Sequence, residues 1–239
     1  MDEKDTTAAE IKLYESLAKK VIEKLRRNYI DAYFASDIDE GLSQVIRLIP
    51  QEASIGIGDS ITLHQIGFFD WLDQQEEFQV FNPFVRTDSG HFSHTRDERF
   101  DIMRKALTAD VYLASVNAVT LEGELISVDG HGNRVAPTIF GPNKVILVLG
   151  ANKITKDREA ALARIRERCA PLNAIRHVEK HYSNHLRNLP CVKTGLCSDC
   201  QDPARICRKT MIISGQSPRF FAKKEEGISV VLIRRQLGI

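Results

Sequence analysis

The chain is short of the features that mark several protein classes. Its 33 Lys and Arg against 32 Asp and Glu leave a formal charge of +1. That is too little to draw it to a phosphate backbone or an anionic bilayer, so neither nucleic acid nor a membrane is expected as a partner. With 14 Gly and 8 Pro in 239 residues, it is neither collagen-like nor low in complexity. The most hydrophobic stretch, Val145 to Leu149, falls far below the roughly 20 residues of a bilayer span. The opening Met1-Asp2-Glu3-Lys4-Asp5 is polar and mostly acidic, the reverse of a secretory leader, so a cytoplasmic location is expected. No Walker loop, nucleophile elbow or HExxH helix occurs. A dinucleotide fingerprint fails as well, because Gly56 and Gly58 are followed by Ile61 where a third glycine is needed.

What remains is a chain that is 43% hydrophobic and long enough to bury roughly 70% of its unfolded surface without staples. Residues 8–27 carry Ile11, Tyr14, Leu17, Ala18, Val21, Ile22 and Leu25 at helical spacing. Further helices are expected after Asp37, over 61–74 with a break near Gly67, after the Thr95/Glu98 capping box, and from about Lys156 to Cys169, where Pro171 marks the stop. Between them lie short apolar runs at 29–35, 53–57, 78–81, 110–115, 118–120, 124–128, 144–149, 211–213 and 228–233. Helices alternating with such strands predict an α/β fold with a mostly parallel sheet flanked by helices. One domain over 1–239 is expected, with an N-terminal helical segment in 1–27 and a His- and Cys-rich excursion at 177–208.

Open α/β sheets bind ligands beyond the carboxyl ends of their strands, and three such ends here are polar. At the first, Gly56, Gly58, Asp59, Ser60 and Thr62 form a strand-to-helix turn; its glycines admit a ligand close to the backbone and its hydroxyls cap the next helix. At the second, Asn117 and Thr120 are spaced to face a cleft, with Glu122 at a turn. The Asp129-Gly130-His131-Gly132-Asn133-Arg134 segment follows closely. Asp129, Asn133 and Arg134 suit a carboxylate or phosphate, although Asp129 and Asn133 equally suit a hairpin turn bonding its own backbone. At the third, Lys153 either brings a cation to the same cleft or sits in solvent. In the catalytic version of this reading Glu122 or Asp129 moves a proton while Arg134 and Lys153 clamp the anion.

Only five cysteines are present, and four crowd together as Cys191-x5-Cys197-x2-Cys200-x6-Cys207. Four soft thiolates in a reducing compartment suit an iron–sulfur cluster or tetrahedral zinc, and the spacing alone leaves both open. Cys169 lies on an apolar helical stripe and reads as a buried structural thiol. His177, His181 and His185 recur every fourth residue, as on the solvated face of a helix that also carries Lys180 and Arg187.

The runs Ser54–Leu63, Asn117–Leu125, Asp129–Ala136, Gly141–Ile146 and Gly150–Lys153 together resemble the LUD (lactate-utilisation) domain family, and the cysteine segment resembles that of a LUD subgroup. The resemblance implies a fold similar to the ribose-5-phosphate isomerase, glucosamine-6-phosphate deaminase and CoA-transferase group. In that group the glycine turn helps hold phosphate or acyl groups, a role that would fall here on Gly56, Gly58, Asp59, Ser60 and Thr62. It also implies a part in oxidising L-lactate to pyruvate alongside iron–sulfur partners. No CoA-transferase glutamate motif aligns, and Glu122 is the nearest position to one. The expectation is a small anionic metabolite as ligand. Whether the chain is an enzyme, a non-catalytic electron-transfer or assembly component, or a metabolite sensor stays open at this level, as does a homo-oligomeric state.

Overall fold

The computed structural model describes residues 7–181, 183–217 and 226–239. The side chain of His181, the middle member of the histidine series, lies outside the described residues. Helix α1 (Thr7–Arg27) turns Ala18, Val21, Ile22 and Leu25 inward, as its periodicity requires. After β1 (Asp31–Ala35), α2 (Ile38–Leu48) starts where the Asp37 carboxylate accepts the Glu40 N–H. β2 (Ser54–Ile57) leads into α3 (Ile61–Gln65) and α4 (Phe68–Leu72), separated by Gly67 at φ 74°. β3 (Gln79–Phe81) precedes α5 (Arg96–Lys105), which opens on the expected Thr95/Glu98 capping box.

The chain continues through β4 (Val111–Ala114), β5 (Ala118–Thr120), β6 (Leu125–Asp129), α6 (Val135–Ile139), β7 (Lys144–Gly150) and β8 (Ile154–Thr155). Then come α7 (Arg158–Arg164), α8 (Ala170–His181), α9 (Pro190–Thr194), β9 (Lys209–Ile213) and β10 (Gly227–Ile233). Among the described residues no helix is long and apolar enough to cross a membrane.

Six strands form one wholly parallel sheet in the order β1-β10-β7-β4-β2-β3. Its central strand β7 is buried along its whole length. Val145, Leu147 and Leu149 pack into a core with α1, while Ile146 and Val148 pack into another with Val45, Leu63 and Phe68 of α2, α3 and α4. That two-sided burial is why the strand reads as continuously apolar. α2 closes on β10 through Gly41, where an added Cβ would lie 2.4 Å from Ile233 Cδ1. Gly41→Ala is therefore expected to destabilise by about 1 kcal/mol in urea unfolding, since overpacking outweighs the helix propensity gained.

The sequence leaves the place of the short strands after β4 open, and one of its helix ends is overturned. The short strands after β4 do not join the parallel sheet. They build a second, four-stranded one, β8-β5-β6-β9, in which β6 pairs antiparallel with both β5 and β9. The helix expected to stop at Cys169 also continues. Residues Ile165–Cys169 form a π-helical turn in which the Ala170 N–H reaches Ile165 O, and α8 runs on past Pro171. Proline supplies no N–H and its ring crowds the preceding turn; the wide turn accommodates it, so a stop becomes an irregularity. The continuation carries Arg176 and His177 back to the strand ends.

Candidate functional site

Because the large sheet is parallel, the carboxyl ends of β2, β4, β7 and β10 lie along one edge, and their loops meet there. Lys153 sits at the centre, in the single 3-10 turn after β7. It is 3% exposed and donates to Ser115 Oγ (2.9 Å) and Thr62 Oγ1 (3.2 Å). Ser115 in turn donates to the Val148 carbonyl. Burial, reinforced by Arg164 and Arg134 and partly offset by Cys169, pulls the ammonium down to about 7. Lys153 is thus not the solvated lysine of the alternative reading. It is closed off by the segment after β10: Leu237 N–H donates to Asn152 Oδ1, Gly238 N–H donates to Gln65 Oε1, and an added Cβ on Gly238 would lie 2.7 Å from Lys153 Nζ.

The 129–134 turn is organised by Asp129. Its Oδ1 accepts the N–H of His131 and Gly132, and its Oδ2 accepts those of Arg134 and Val135. Burial opposes ionisation, but these N–H groups and the Arg134 charge outweigh it and hold the carboxyl below its ordinary range. With both oxygens engaged, Asp129 orders the backbone, as in the hairpin alternative. Arg134 folds back over this turn, donating to Asn117 Oδ1 (3.1 Å) and the Val128 carbonyl (2.6 Å), while Asn117 Oδ1 also accepts the Val128 N–H. The Asn133 carbonyl accepts from the buried Tyr112 hydroxyl at 3.3 Å.

Other positions have plainer roles. Gly56 and Gly58 make room for Tyr112 of β4: added Cβ atoms would stand 3.0 Å from its Cδ2 and 2.7 Å from its Oη. Ser60 caps α3 by accepting the Leu63 N–H. Thr120 is fully buried and accepts the Glu124 N–H inside the β5–β6 hairpin. Glu122, at the tip of that hairpin, is 68% exposed and paired with Lys24 of α1. The structure does not bring it to the residues around Lys153.

It does bring to Asp59 the side chains of Arg176, Arg86 and Arg99, which the sequence reading missed, and His177, which it placed on a solvated helix face. Asp59 meets Arg176 (3.6 Å) and His177 (4.0 Å) from α8. Arg86 and Arg99 both stack on the Phe92 ring, 4.0 and 3.6 Å from its centroid. Desolvation lowers the pKa of both guanidiniums, Asp59 acting against it, and Arg86 lowers Arg99 further. His177 is likewise lowered, chiefly by burial. The polar 86–94 loop offers no periodicity to flag these partners, and the expected stop at Pro171 separated Arg176 from the preceding helix.

The four clustered cysteines line one cavity of about 170 Å³, together with Arg205 and Arg166. Burial, with the neighbouring thiols adding to it, raises the Cys191 thiol; burial raises that of Cys207, against Arg205. The Asp199 N–H donates to Cys197 Sγ at 3.4 Å. Arg205 keeps its Nε buried and without a partner among the described residues. No three His, Cys, Asp or Glu side chains among the described residues converge on a single ion position. Cys169 stands apart, 1% exposed among Ala118, Ile126, Ala161 and Ile165. The cavity adjoins the strand-end cleft: Val128 lines it, and an added Cβ on Gly130 would lie 3.2 Å from Ile206 Cα.

No protein of curated function matches the chain. Among solved structures, it superposes on a DUF162 family protein from Deinococcus radiodurans with a TM-score of 0.51 at 11% identity, covering 92% of this chain and 98% of that one. At that identity the likeness concerns the fold. The family model for the LUD domain matches residues 18–221, which takes in every strand but β10 and the whole cysteine segment. The chain belongs to the LUD domain family.

Proposed function

We propose that this LUD-domain protein takes part in using lactate or a related organic acid, holding a small metabolite anion at the strand-end cleft and a metal centre on Cys191, Cys197, Cys200 and Cys207. The observation that supports the first half is the collection of Lys153, Arg134, Arg176, Arg86 and Arg99 around loops that all leave one sheet edge. Cationic side chains in a partly desolvated cleft attract and orient anions.

For the cysteines, the supporting observation is the shared cavity. A single zinc ion draws four thiolates to about 2.3 Å from one point, whereas a cavity of about 170 Å³ that the four cysteines line together with other residues has room for a polyatomic iron–sulfur cluster. The lone Arg205 Nε and the Cys197-bound Asp199 N–H fit the negative charge such a cluster carries. When bound, the cluster supplies one-electron transfer, which lactate oxidation with iron–sulfur partners would draw on.

A second reading, a non-catalytic electron-transfer or assembly component, draws support from Asp129: all its acceptors face backbone N–H groups, which leaves it unsuited to moving a proton. Protein purified without oxygen is expected to contain iron and sulfide in near-equal amounts and to bind L-lactate or pyruvate in calorimetry. Zinc at one equivalent in colourless protein would replace the cluster with a structural ion. Turnover of lactate with an added electron acceptor separates the enzyme from the component.

A further inference from the structure

Lys153 counts as one cation among several in the cleft, yet its surroundings suit the neutral amine. It is buried just past the carboxyl end of β7, and its Nζ donates to two hydroxyls, Ser115 Oγ and Thr62 Oγ1. Ser115 spends its own proton on the Val148 carbonyl, so toward Lys153 it only accepts. An ammonium carries three hydrogens and a neutral amine two. Two acceptors therefore satisfy the amine, whereas the third hydrogen of an ammonium finds no acceptor among the described residues. No carboxylate among those residues pairs with Lys153, and the charges that oppose its protonation are Arg164 and Arg134. A buried ammonium without a counter-ion readily gives up its proton.

A neutral amine keeps a lone pair, which makes it a nucleophile at a pH where exposed lysines are almost all protonated. With both N–H groups engaged, that lone pair is the part of Nζ left uncommitted. Gly238 leaves room beside it, since any side chain there would start 2.7 Å from Nζ. The 237–238 segment is held over the amine by the side chains of Asn152 and Gln65, contacts that lie outside both sheets. Arg134 spends only its Nη2 on Asn117 and Val128. Its Nε and Nη1 have no partner among the described residues, so they are open to a carboxylate, and its charge reaches Lys153. A nucleophilic amine calls for a carbonyl carbon, and a guanidinium beside it calls for an acid on the same molecule.

We infer that Lys153 is the nucleophile of a covalent site, condensing as its neutral amine with the carbonyl group of an oxo acid whose carboxylate rests on Arg134. The nitrogen attacks the carbonyl carbon and a C–N bond forms. The carbonyl oxygen takes up, in net terms, the two amine protons and leaves as water. The product is an imine, and no oxidant or reductant is consumed. Ser115 and Thr62, which accept those two hydrogens, are placed to pass them on. This inference rests on the reading of the strand-end cleft as a metabolite site and names the chemical class of that metabolite. To reach the amine the ligand displaces the 237–238 segment, and the pull of Arg134 on its carboxylate favours that exchange.

The test is reductive trapping. The full chain is incubated with pyruvate, acetone or L-lactate, treated with borohydride, digested and mapped by peptide mass spectrometry, while calorimetry measures pyruvate binding separately. Pyruvate should leave its reduced adduct on Lys153 at least about tenfold above any other lysine, because exposed lysines are protonated at pH 7. Acetone, a carbonyl without the carboxylate, should give at least about tenfold less, the scale of a lost charge-assisted hydrogen bond. L-Lactate, which has no ketone, should give none. Lys153→Met should remove the adduct from the intact chain. Arg134→Gln should narrow the ratio of pyruvate to acetone trapping, which a merely structural arginine would leave unchanged. The wild-type map requires no variant to fold. An adduct spread over other lysines, or one that persists in Lys153→Met, would overturn the inference. Equal trapping of pyruvate and acetone on Lys153 would overturn the role given to Arg134. Pyruvate that binds without forming an adduct would overturn the imine and leave the cleft reading standing. Neither binding nor adduct would overturn both.

Discussion

Asp129→Ala is expected to be among the most destabilising single changes in the protein, costing on the order of 3–5 kcal/mol in urea unfolding. The carboxylate is 9% exposed and serves four backbone N–H groups in seven residues, so its removal strands several donors at once in a turn that water reaches poorly. Asp129→Asn should cost less, because one oxygen remains to accept. The same residue predicts a pH dependence. Its folded pKa is depressed, so the unfolded chain binds the proton first as pH falls. The stability it contributes is complete above the unfolded value of about 3.9 and is lost as pH drops through the lower folded value. Urea midpoints between pH 3 and pH 6 should therefore fall more steeply with acidification in the wild type than in Asp129→Asn. Equal slopes would mean that the carboxylate is not held by the turn.

The difference between Asp129 and Glu122 shows where reading residues in a line stops working. Both are acids next to glycines at the ends of short strands, and the sequence supports either as a proton carrier. Their roles separate only in space: one turns inward to gather its own loop, the other points from a hairpin tip to Lys24 of α1, nearly a hundred positions earlier. Gly56 and Gly58 make the same point. They look like a ligand-approach motif, but the ring they accommodate belongs to Tyr112, on a strand whose adjacency to β2 no local pattern encodes.

Features that depend on near neighbours were legible. The capping box at Thr95, the break at Gly67, the amphipathic α1 and the two-sided burial of β7 all follow from residues within a turn or a strand of one another. Strand order, the second sheet and the arginine group depend on partners tens of residues away. Pro171 misled for a related reason: a proline stops a helix by local rule, but a π turn on its N-terminal side lets tertiary packing of Ala174 and Val178 carry α8 onward. The cost of missing that continuation was missing Arg176 and the place of His177 beside Asp59.

The second large effect is expected at Lys153. A lysine whose folded pKa sits near 7, against about 10.4 when unfolded, is a residue the fold holds at a loss wherever it is protonated. The sign follows from proton counts. Between pH 7 and pH 10 the unfolded chain binds the proton and the folded chain does not, so stability should rise with pH across that window. Below pH 7 both states are protonated and the penalty is at its full size, a few kcal/mol. Lys153→Met, which keeps the volume, should flatten this rise and show its largest stabilisation near pH 6, with chemical unfolding at pH 6, 8 and 10 as the measurement. The burial behind this behaviour depends on Gly238, which holds φ +67° where an added Cβ would also come within 2.5 Å of Thr62 Oγ1. Gly238→Val demands a left-handed β-branched residue in a space already filled by Thr62 and the Lys153 ammonium, so the 234–239 segment must lift. Hydrated again, the amine should regain an ordinary pKa and become accessible to acetic anhydride. Peptide mass spectrometry should find Lys153 protected in the wild type and acetylated in Gly238→Val. Modification to the same extent in both would show that the segment does not close the cleft. Protection in the wild type alone would make the path of these last residues the barrier any ligand must pass to reach Lys153.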